Sequence, residues 1–170
     1  LMRVSPSDLN QLLHRRLDPR AKVNPIAKGL NASPGVATGK VVFRVEDAVE
    51  LARLGEKVIL VRPETTPDDI KGIIAAQGVL TSRGGMTSHA AVVTRGMGKP
   101  AVVGCEEISI DLEKEQFVTA SGVVVRKGDV ITIDGSTGYV MLGEVPTIEP
   151  EMTEELKVLL KWADERRRLG

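Results

Sequence analysis

Between residues 39 and 81 two kinds of segment alternate, and turn residues punctuate them. Lys40-Val41-Val42-Phe43-Arg44-Val45 has the content of a strand. Asp47 to Leu54 places Ala48, Leu51 and Ala52 at helical spacing and stops at Gly55. Val58-Ile59-Leu60-Val61 is a short continuous apolar run, the pattern of a strand buried on both faces. Pro67-Asp68-Asp69 then opens a helix through Ile70, Ile73, Ile74 and Ala75, closed by Gly78, and Val79-Leu80-Thr81 is the next strand. From residue 117 the pattern becomes all-β. Phe117–Ala120, Val123–Val125, Val130–Ile133 and Tyr139–Met141 are separated by Ser121-Gly122, Lys127-Gly128-Asp129 and Asp134-Gly135-Ser136-Thr137-Gly138. β/α units followed by hairpins predict an α/β fold with a mixed sheet, helices on one side and further strands on the other. Aromatic residues make up only 2% of the chain, so Val, Ile, Leu and Ala must fill the core.

The ends read differently. Ser7-Asp8 followed by Leu9, Leu12, Leu13 and Leu17 predicts a capped amphipathic helix of about ten residues, stopped by Asp18-Pro19. Arg20 to Lys28 reads as a linker, and Ser33-Pro34-Gly35 as a turn. Glu144 to Pro150, acidic and proline-spaced, is a second linker. A second helix follows from Thr153 through Leu156, Leu159, Leu160 and Ala163 to Arg166-Arg167-Arg168, acidic at its start and basic at its end as the helix dipole favours. The expected division is residues 1–30, helix and linker; 31–143, the central domain; 144–170, linker and helix. Leu1 precedes Met2, so the chain is read as a piece of something larger.

Several function classes fall away on composition. Lys+Arg and Asp+Glu balance at 23 each, against the basic excess of a nucleic-acid binder. No apolar run approaches the roughly 20 residues of a membrane span. One cysteine, Cys105, cannot form an internal disulfide and fits a reducing cytosol. Two histidines and one cysteine, far apart, offer no zinc site of the usual spacing.

The segment Thr81-Ser82-Arg83-Gly84-Gly85-Met86-Thr87-Ser88-His89-Ala90-Ala91-Val92-Val93 carries the chemistry. A strand ends, Gly84-Gly85 turns the chain, and hydroxyl residues precede an Ala/Val-rich helix. Thr87 or Ser88 is placed to cap that helix. His89 then lies at its first turn, where exposed N–H groups and a partial positive charge favour an uncharged imidazole and any anion nearby, a phosphoryl group on the ring included. The same spacing also suits a histidine that only caps or packs, and spacing alone leaves both readings open. A hydrolase built on Ser88 or Cys105 is less well served, because Ser88 and His89 are adjacent and no Gly-x-Ser-x-Gly elbow is present. Gly96-Met97-Gly98-Lys99 lacks the spacing of a phosphate loop.

The run Gly84 to Val93, continued by Arg95-Gly96-Met97-Gly98, resembles the phosphohistidine signature of enzymes that interconvert pyruvate and phosphoenolpyruvate. Met86-Thr87-Ser88 is similar to the pyruvate phosphate dikinase form; phosphoenolpyruvate synthases and enzyme I of the sugar phosphotransferase system usually have Arg where this chain has Met86. Lys28 to Gly35, Ile133 to Gly138, Leu9 to His14 and Trp162 to Glu165 also look like dikinase segments. Pro100 to Gly104 departs from the dikinase pattern and resembles the synthase and enzyme I form.

The resemblance implies a three-layer β/β/α swivelling phosphohistidine domain with flanking terminal helices. In it His89 takes a phosphoryl group derived from ATP and inorganic phosphate and passes it to pyruvate. The partners implied are an N-terminal ATP-binding domain and a C-terminal barrel for pyruvate or phosphoenolpyruvate, with residues 19–30 and 143–151 as hinges. Mg²⁺ would be held by those other domains and not by this one. The resemblance also makes Thr87 a candidate for regulatory phosphorylation by a kinase/phosphatase partner. Gly84, Gly85 and Ser88 would support the phosphate, and Arg62, Thr65 and Thr66, following the buried strand, are candidates for hydrogen-bonding support. A synthase or enzyme I relative, and a docking module without chemistry, are the alternatives.

Overall fold

The computed structural model describes residues 24–145 and two short strands at 16–17 and 147–148. In chain order these are β1 (Arg16–Leu17), β2 (Ala27–Lys28), β3 (Leu30–Ser33), β4 (Val36–Val42), α1 (Val45–Arg53) and β5 (Val58–Arg62). A 3₁₀ turn, Pro67–Asp69, leads into α2 (Ile70–Ala75), then β6 (Gly78–Thr81), α3 (His89–Met97) and β7 (Ala101–Val103). The remaining strands are β8 (Ile108–Asp111), β9 (Gln116–Thr119), β10 (Val124–Arg126), β11 (Val130–Asp134), β12 (Tyr139–Leu142) and β13 (Thr147–Ile148).

Eight strands form one sheet in the order β2-β12-β11-β4-β5-β6-β7-β3. The central four, β4 to β7, run parallel, and antiparallel strands extend both edges. A separate antiparallel sheet, β10-β9-β8, lies over one face. Strand alternation explains the layering. Val41, Ile59, Val61, Leu80, Ile131 and Ile133 point to one side, where they meet Ile108, Phe117 and Val125 of the small sheet. Val42, Val58, Leu60, Val79 and Val103 point the other way, onto Ala48, Ile73, Ala90 and Ala91 of the helices. The arrangement is β/β/α, as the β/α-then-hairpin pattern predicts. Both phenylalanines, Phe43 and Phe117, are fully buried in the β/β layer. The helix layer uses alanine instead, which lets helix backbones approach the sheet closely.

Several boundaries differ from the expectation. The first long strand covers Val36–Val42, not 40–45, and Val45 already belongs to α1, whose first turn holds Glu46 and Asp47 and whose last holds Arg53. Gly39 lies inside β4 because the backbones come together there: a Cβ would sit 2.8 Å from the Lys57 carbonyl. Gly78 opens β6 and does not close a helix; its missing side chain makes room for Ile133, 2.8 Å from where a Cβ would stand. The helix expected from Pro67 begins as a 3₁₀ turn and becomes α-helical only at Ile70. Ala27–Lys28, read as the end of a linker, is an edge strand paired with β12, and Ala27 is buried in the core. Arg16–Leu17, read as the end of a helix, pairs antiparallel with Thr147–Ile148, inside the second linker. The other residues of the first helix, the helix from Thr153 to Arg168 and most of both linkers lie outside the described residues.

Candidate functional site

β5 and β6 are adjacent and parallel, so their carboxyl ends emerge side by side. In open α/β sheets this is where ligands are handled. The loop after β5 carries Pro63, Glu64, Thr65 and Thr66, and the loop after β6 carries Ser82 to Ser88. Backbone bonds stitch the two together: the Arg83 N–H donates to the Pro63 carbonyl at 2.9 Å. The Arg83 carbonyl in turn accepts from the Thr81 hydroxyl at 2.7 Å.

That stitching brings Thr65 to His89. Thr65 Oγ1 lies 3.1 Å from His89 Nδ1, and Thr65 is buried while the imidazole is half-buried. His89 is the first residue of α3. Ser88 caps the helix: its hydroxyl accepts from the Ala91 N–H at 3.4 Å and donates to the Gly85 carbonyl at 2.7 Å. Gly84 takes φ 98°, a left-handed conformation that favours glycine, and a Cβ there would come within 2.9 Å of Ser88 Cβ. No atom stands within 4 Å of where a Gly85 Cβ would be, so that side of the loop is open. Between the two possible caps, the structure uses Ser88. Thr87 is exposed, and its side chain makes no hydrogen bond among the described residues.

Arg62 and Thr66 are used elsewhere. Arg62 Nη1 donates to the Phe43 carbonyl at 2.7 Å, and its Nε lies 3.6 Å from Asp69 Oδ2. The Thr66 N–H donates to the same Asp69 carboxylate at 2.9 Å. Both therefore hold the 3₁₀ turn, and of the three candidates only Thr65 reaches the ring. The sequence reading did not single out Arg95 as part of the site. Its Nε donates to the Ala91 carbonyl at 3.0 Å, and its Nη2 donates to the Met86 carbonyl, tying the glycine loop to the helix. An arginine one turn from the end of a capped helix gives no pattern that would announce this.

Thr65 engages Nδ1, and Nε2 has no hydrogen-bond partner among the described residues. For Nε2 to have a free lone pair the proton must be on Nδ1, with the Thr65 oxygen accepting it. The helix provides no partner for the N–H groups of His89 and Ala90, which remain as donors to an anion at this end. Among the described residues no three His, Cys, Asp or Glu side chains group as a metal would require. Cys105 is buried beyond β7; burial, with the Glu107 charge adding to it, pushes its thiol up to about 11.

Residues 54–138 match the family model described as PEP-utilising enzyme, mobile domain, PEP being phosphoenolpyruvate. The chain belongs to this family. The mobile domain is 53% identical, over 98% of its length, to a pyruvate, phosphate dikinase of Rhizobium meliloti (strain 1021), and covers 18% of that protein. It is 50% identical, over 100% of its length, to the pyruvate, phosphate dikinase of Entamoeba histolytica, covering 19% of it. To the chloroplastic pyruvate, phosphate dikinase 1 of Arabidopsis thaliana it is 48% identical over 98% of its length, covering 17%. The chain thus spans less than a fifth of the curated relatives it matches. No helix among the described residues is long and apolar enough to cross a membrane.

Proposed function

We propose that this chain is the phosphoryl carrier of a cytoplasmic pyruvate phosphate dikinase, with His89 as the residue that is phosphorylated. The observation that carries the reading is the 3.1 Å contact between Thr65 Oγ1 and His89 Nδ1 at the capped start of α3. With Nδ1–H donating to Thr65 Oγ1, the Nε2 lone pair is free for attack on phosphorus.

The steps balance as three transfers. In the first, Nε2 attacks the β-phosphorus of ATP; an N–P bond forms, the bond from that phosphorus to the AMP oxygen breaks, and His89 carries a pyrophosphoryl group. In the second, an oxygen of inorganic phosphate attacks the γ-phosphorus, whose bond to the bridging oxygen breaks; pyrophosphate leaves and His89 keeps one phosphoryl group. In the third, the enolate oxygen of pyruvate attacks the phosphorus on Nε2, the N–P bond breaks, and phosphoenolpyruvate forms with His89 returned to its starting state. In the phosphorylated ring the positive charge sits beside Thr65, whose oxygen keeps accepting from Nδ1–H. The phosphoryl oxygens lie against the N-terminal pole of α3, where Ser88 and the Gly84-Gly85 turn leave the backbone open to an anion. Phosphoryl transfer is mostly positioning and charge stabilisation, so the ATP and pyruvate sites belong to other domains of the longer enzyme. Mg²⁺ belongs with them; the described residues offer it no ligand group, and no step here runs through it.

The carrier is the unit built on the eight-stranded sheet, expected at 31–143 and extended here to take in Ala27, Lys28 and Leu30. Stretches on either side serve as hinges between an N-terminal ATP-binding domain and a C-terminal pyruvate barrel. Thr87, exposed and two residues before His89, is the site a regulatory kinase/phosphatase would use, since a phosphate there adds about −1.5 to −2 of charge beside the incoming group. The test is to incubate the full-length enzyme with phosphoryl-labelled phosphoenolpyruvate. Label that is acid-labile, base-stable and lost in His89→Ala supports the carrier; label on Ser88, or none, refutes it.

A further inference from the structure

Arg83 stands in the loop that leads from β6 into α3. It is exposed, and among the described residues its guanidinium takes part in no ion pair and no hydrogen bond. That holds for Glu64 too, the exposed acid of the facing loop. The Arg83 backbone is fixed nonetheless. Its N–H donates to the Pro63 carbonyl at 2.9 Å, and its carbonyl accepts from the Thr81 hydroxyl at 2.7 Å and from the Gly104 N–H at 3.4 Å. Two cations of the neighbouring elements are committed: Arg62 to the Phe43 carbonyl and Asp69, and Arg95 to the Ala91 and Met86 carbonyls.

Arg83 lies between the two segments that build the site. Pro63, which its N–H meets, is two residues before Thr65. Gly84, the next residue, lies against Ser88, since a Cβ on it would come within 2.9 Å of Ser88 Cβ. Consecutive Cα atoms are about 3.8 Å apart, so the Arg83 Cα is no more than about 8 Å from Ser88 Cβ. An extended arginine covers most of that distance, which brings the space before the first turn of α3 within its reach.

We infer that Arg83 binds the outer phosphoryl of the pyrophosphoryl group that His89 carries between the first and second transfers. The inference rests on the carrier function proposed above. The inner phosphoryl, bonded to Nε2, adjoins the N–H groups of His89 and Ala90 in both loaded states. The outer one stands a P–O–P bridge farther from the ring and brings three charged oxygens of its own, while the pull of a helix pole fades within its first turn. It needs a donor that projects past the ring from a fixed base. Arginine suits this place, being always charged and able to make two parallel N–H bonds to phosphate oxygens. Once inorganic phosphate has taken the outer phosphoryl away, the guanidinium has lost its anion. Arg83 therefore serves the ATP half of the reaction far more than the pyruvate half.

The experiment uses the full-length enzyme carrying Arg83→Gln. γ-Labelled ATP without inorganic phosphate marks the pyrophosphoryl form of His89, and labelled phosphoenolpyruvate marks the phosphoryl form; the melting temperature is recorded beside them. The expected result is loading from γ-labelled ATP reduced tenfold or more, loading from phosphoenolpyruvate reduced less than threefold, and an unchanged melting temperature. Wild-type loading from γ-labelled ATP overturns the inference. So does equal loss from both donors, which places the effect on His89 or the inner phosphoryl, and so does a lowered melting temperature, which makes Arg83 a fastener of its loop. An unaltered enzyme that loads His89 from phosphoenolpyruvate but takes no label from γ-labelled ATP overturns this inference and leaves the carrier function standing. One that labels His89 from neither donor overturns both.

Discussion

Thr65→Val removes the hydroxyl beside His89 Nδ1 and keeps the shape of the side chain. Thr65 is 93% buried by its 7% exposure, so valine leaves no room for water to take the place of the oxygen. A hydrogen bond between neutral groups contributes about 0.5–1.5 kcal/mol, and one to a charged group about 1.5–3. Where the attacking ring carries a lone pair on Nε2 it is neutral, and the smaller figure applies. In the phosphorylated state the ring is cationic at Nδ1–H, and the larger one applies. The difference falls on the phosphorylated form, so the equilibrium for loading His89 should drop by about 10-fold, and its rate by a similar factor where the bond is already strengthened at the transition state. Thr65→Ser restores the oxygen and should recover most of the loss. Labelled phosphoenolpyruvate measures the loaded fraction, and ¹⁵N NMR of the imidazole reports which nitrogen carries the proton. If Thr65→Val loads to the wild-type level and at the wild-type rate, the hydroxyl neither selects the tautomer nor supports the product, and the mechanism drawn from this contact is wrong.

Two further outcomes concern the fold. Gly39→Ala drives a methyl to 2.8 Å from the Lys57 carbonyl, backbone that cannot yield by a side-chain rotation; the expected loss is about 1–3 kcal/mol in chemical denaturation, as for other overpacked sites, and an unchanged midpoint would show that β4 and β5 are not held so closely. For Cys105 the buried thiol, at about 11 against an ordinary 9.0, stays protonated in the folded chain while the unfolded chain ionises. The unfolded state then binds fewer protons, so the thiol's contribution to stability falls as pH rises from about 9 to 11. Cys105→Ala should flatten this part of the profile relative to wild type, and identical profiles would refute it.

Much of this architecture is legible in the sequence. Val58–Val61 reads directly as a buried strand, because both of its faces meet apolar layers. The start of α3 is legible as well: glycines, hydroxyls and an alanine-rich run leave few other structures. Glycine is where the reading goes astray. Gly39 and Gly78 read as element boundaries, yet each lies within a strand where another backbone or side chain fills the space of its Cβ. A break and a close approach demand the same residue, and only the third dimension separates them. β2 and β7 are too short, at two and three residues, to show periodicity. Likewise Thr65 is one of three polar candidates at the end of β5 and in the loop after it. The 3₁₀ turn at Pro67–Asp69 decided among them, by engaging Arg62 and Thr66 with Asp69 and leaving Thr65 for the ring.

The layers divide the work. The small sheet β8-β9-β10 buries Ile108, Phe117 and Val125 against the large sheet and contributes no side chain to the contacts around His89. The helix face holds α3 against the sheet through Ala90, Ala91 and Thr94, where Thr94 Oγ1 returns a bond to the Ala90 carbonyl at 2.6 Å. A methyl-sized side chain at the first two positions sets the helix close down on β6 and β7, and with it the height of His89 above the Thr65 loop. His89 therefore stands on the helix side of the sheet, above a buried core of that side's own, while the small sheet seals the other face. The proposed carrier needs an exposed site on a base that stays buried throughout, because the site must meet successive partners.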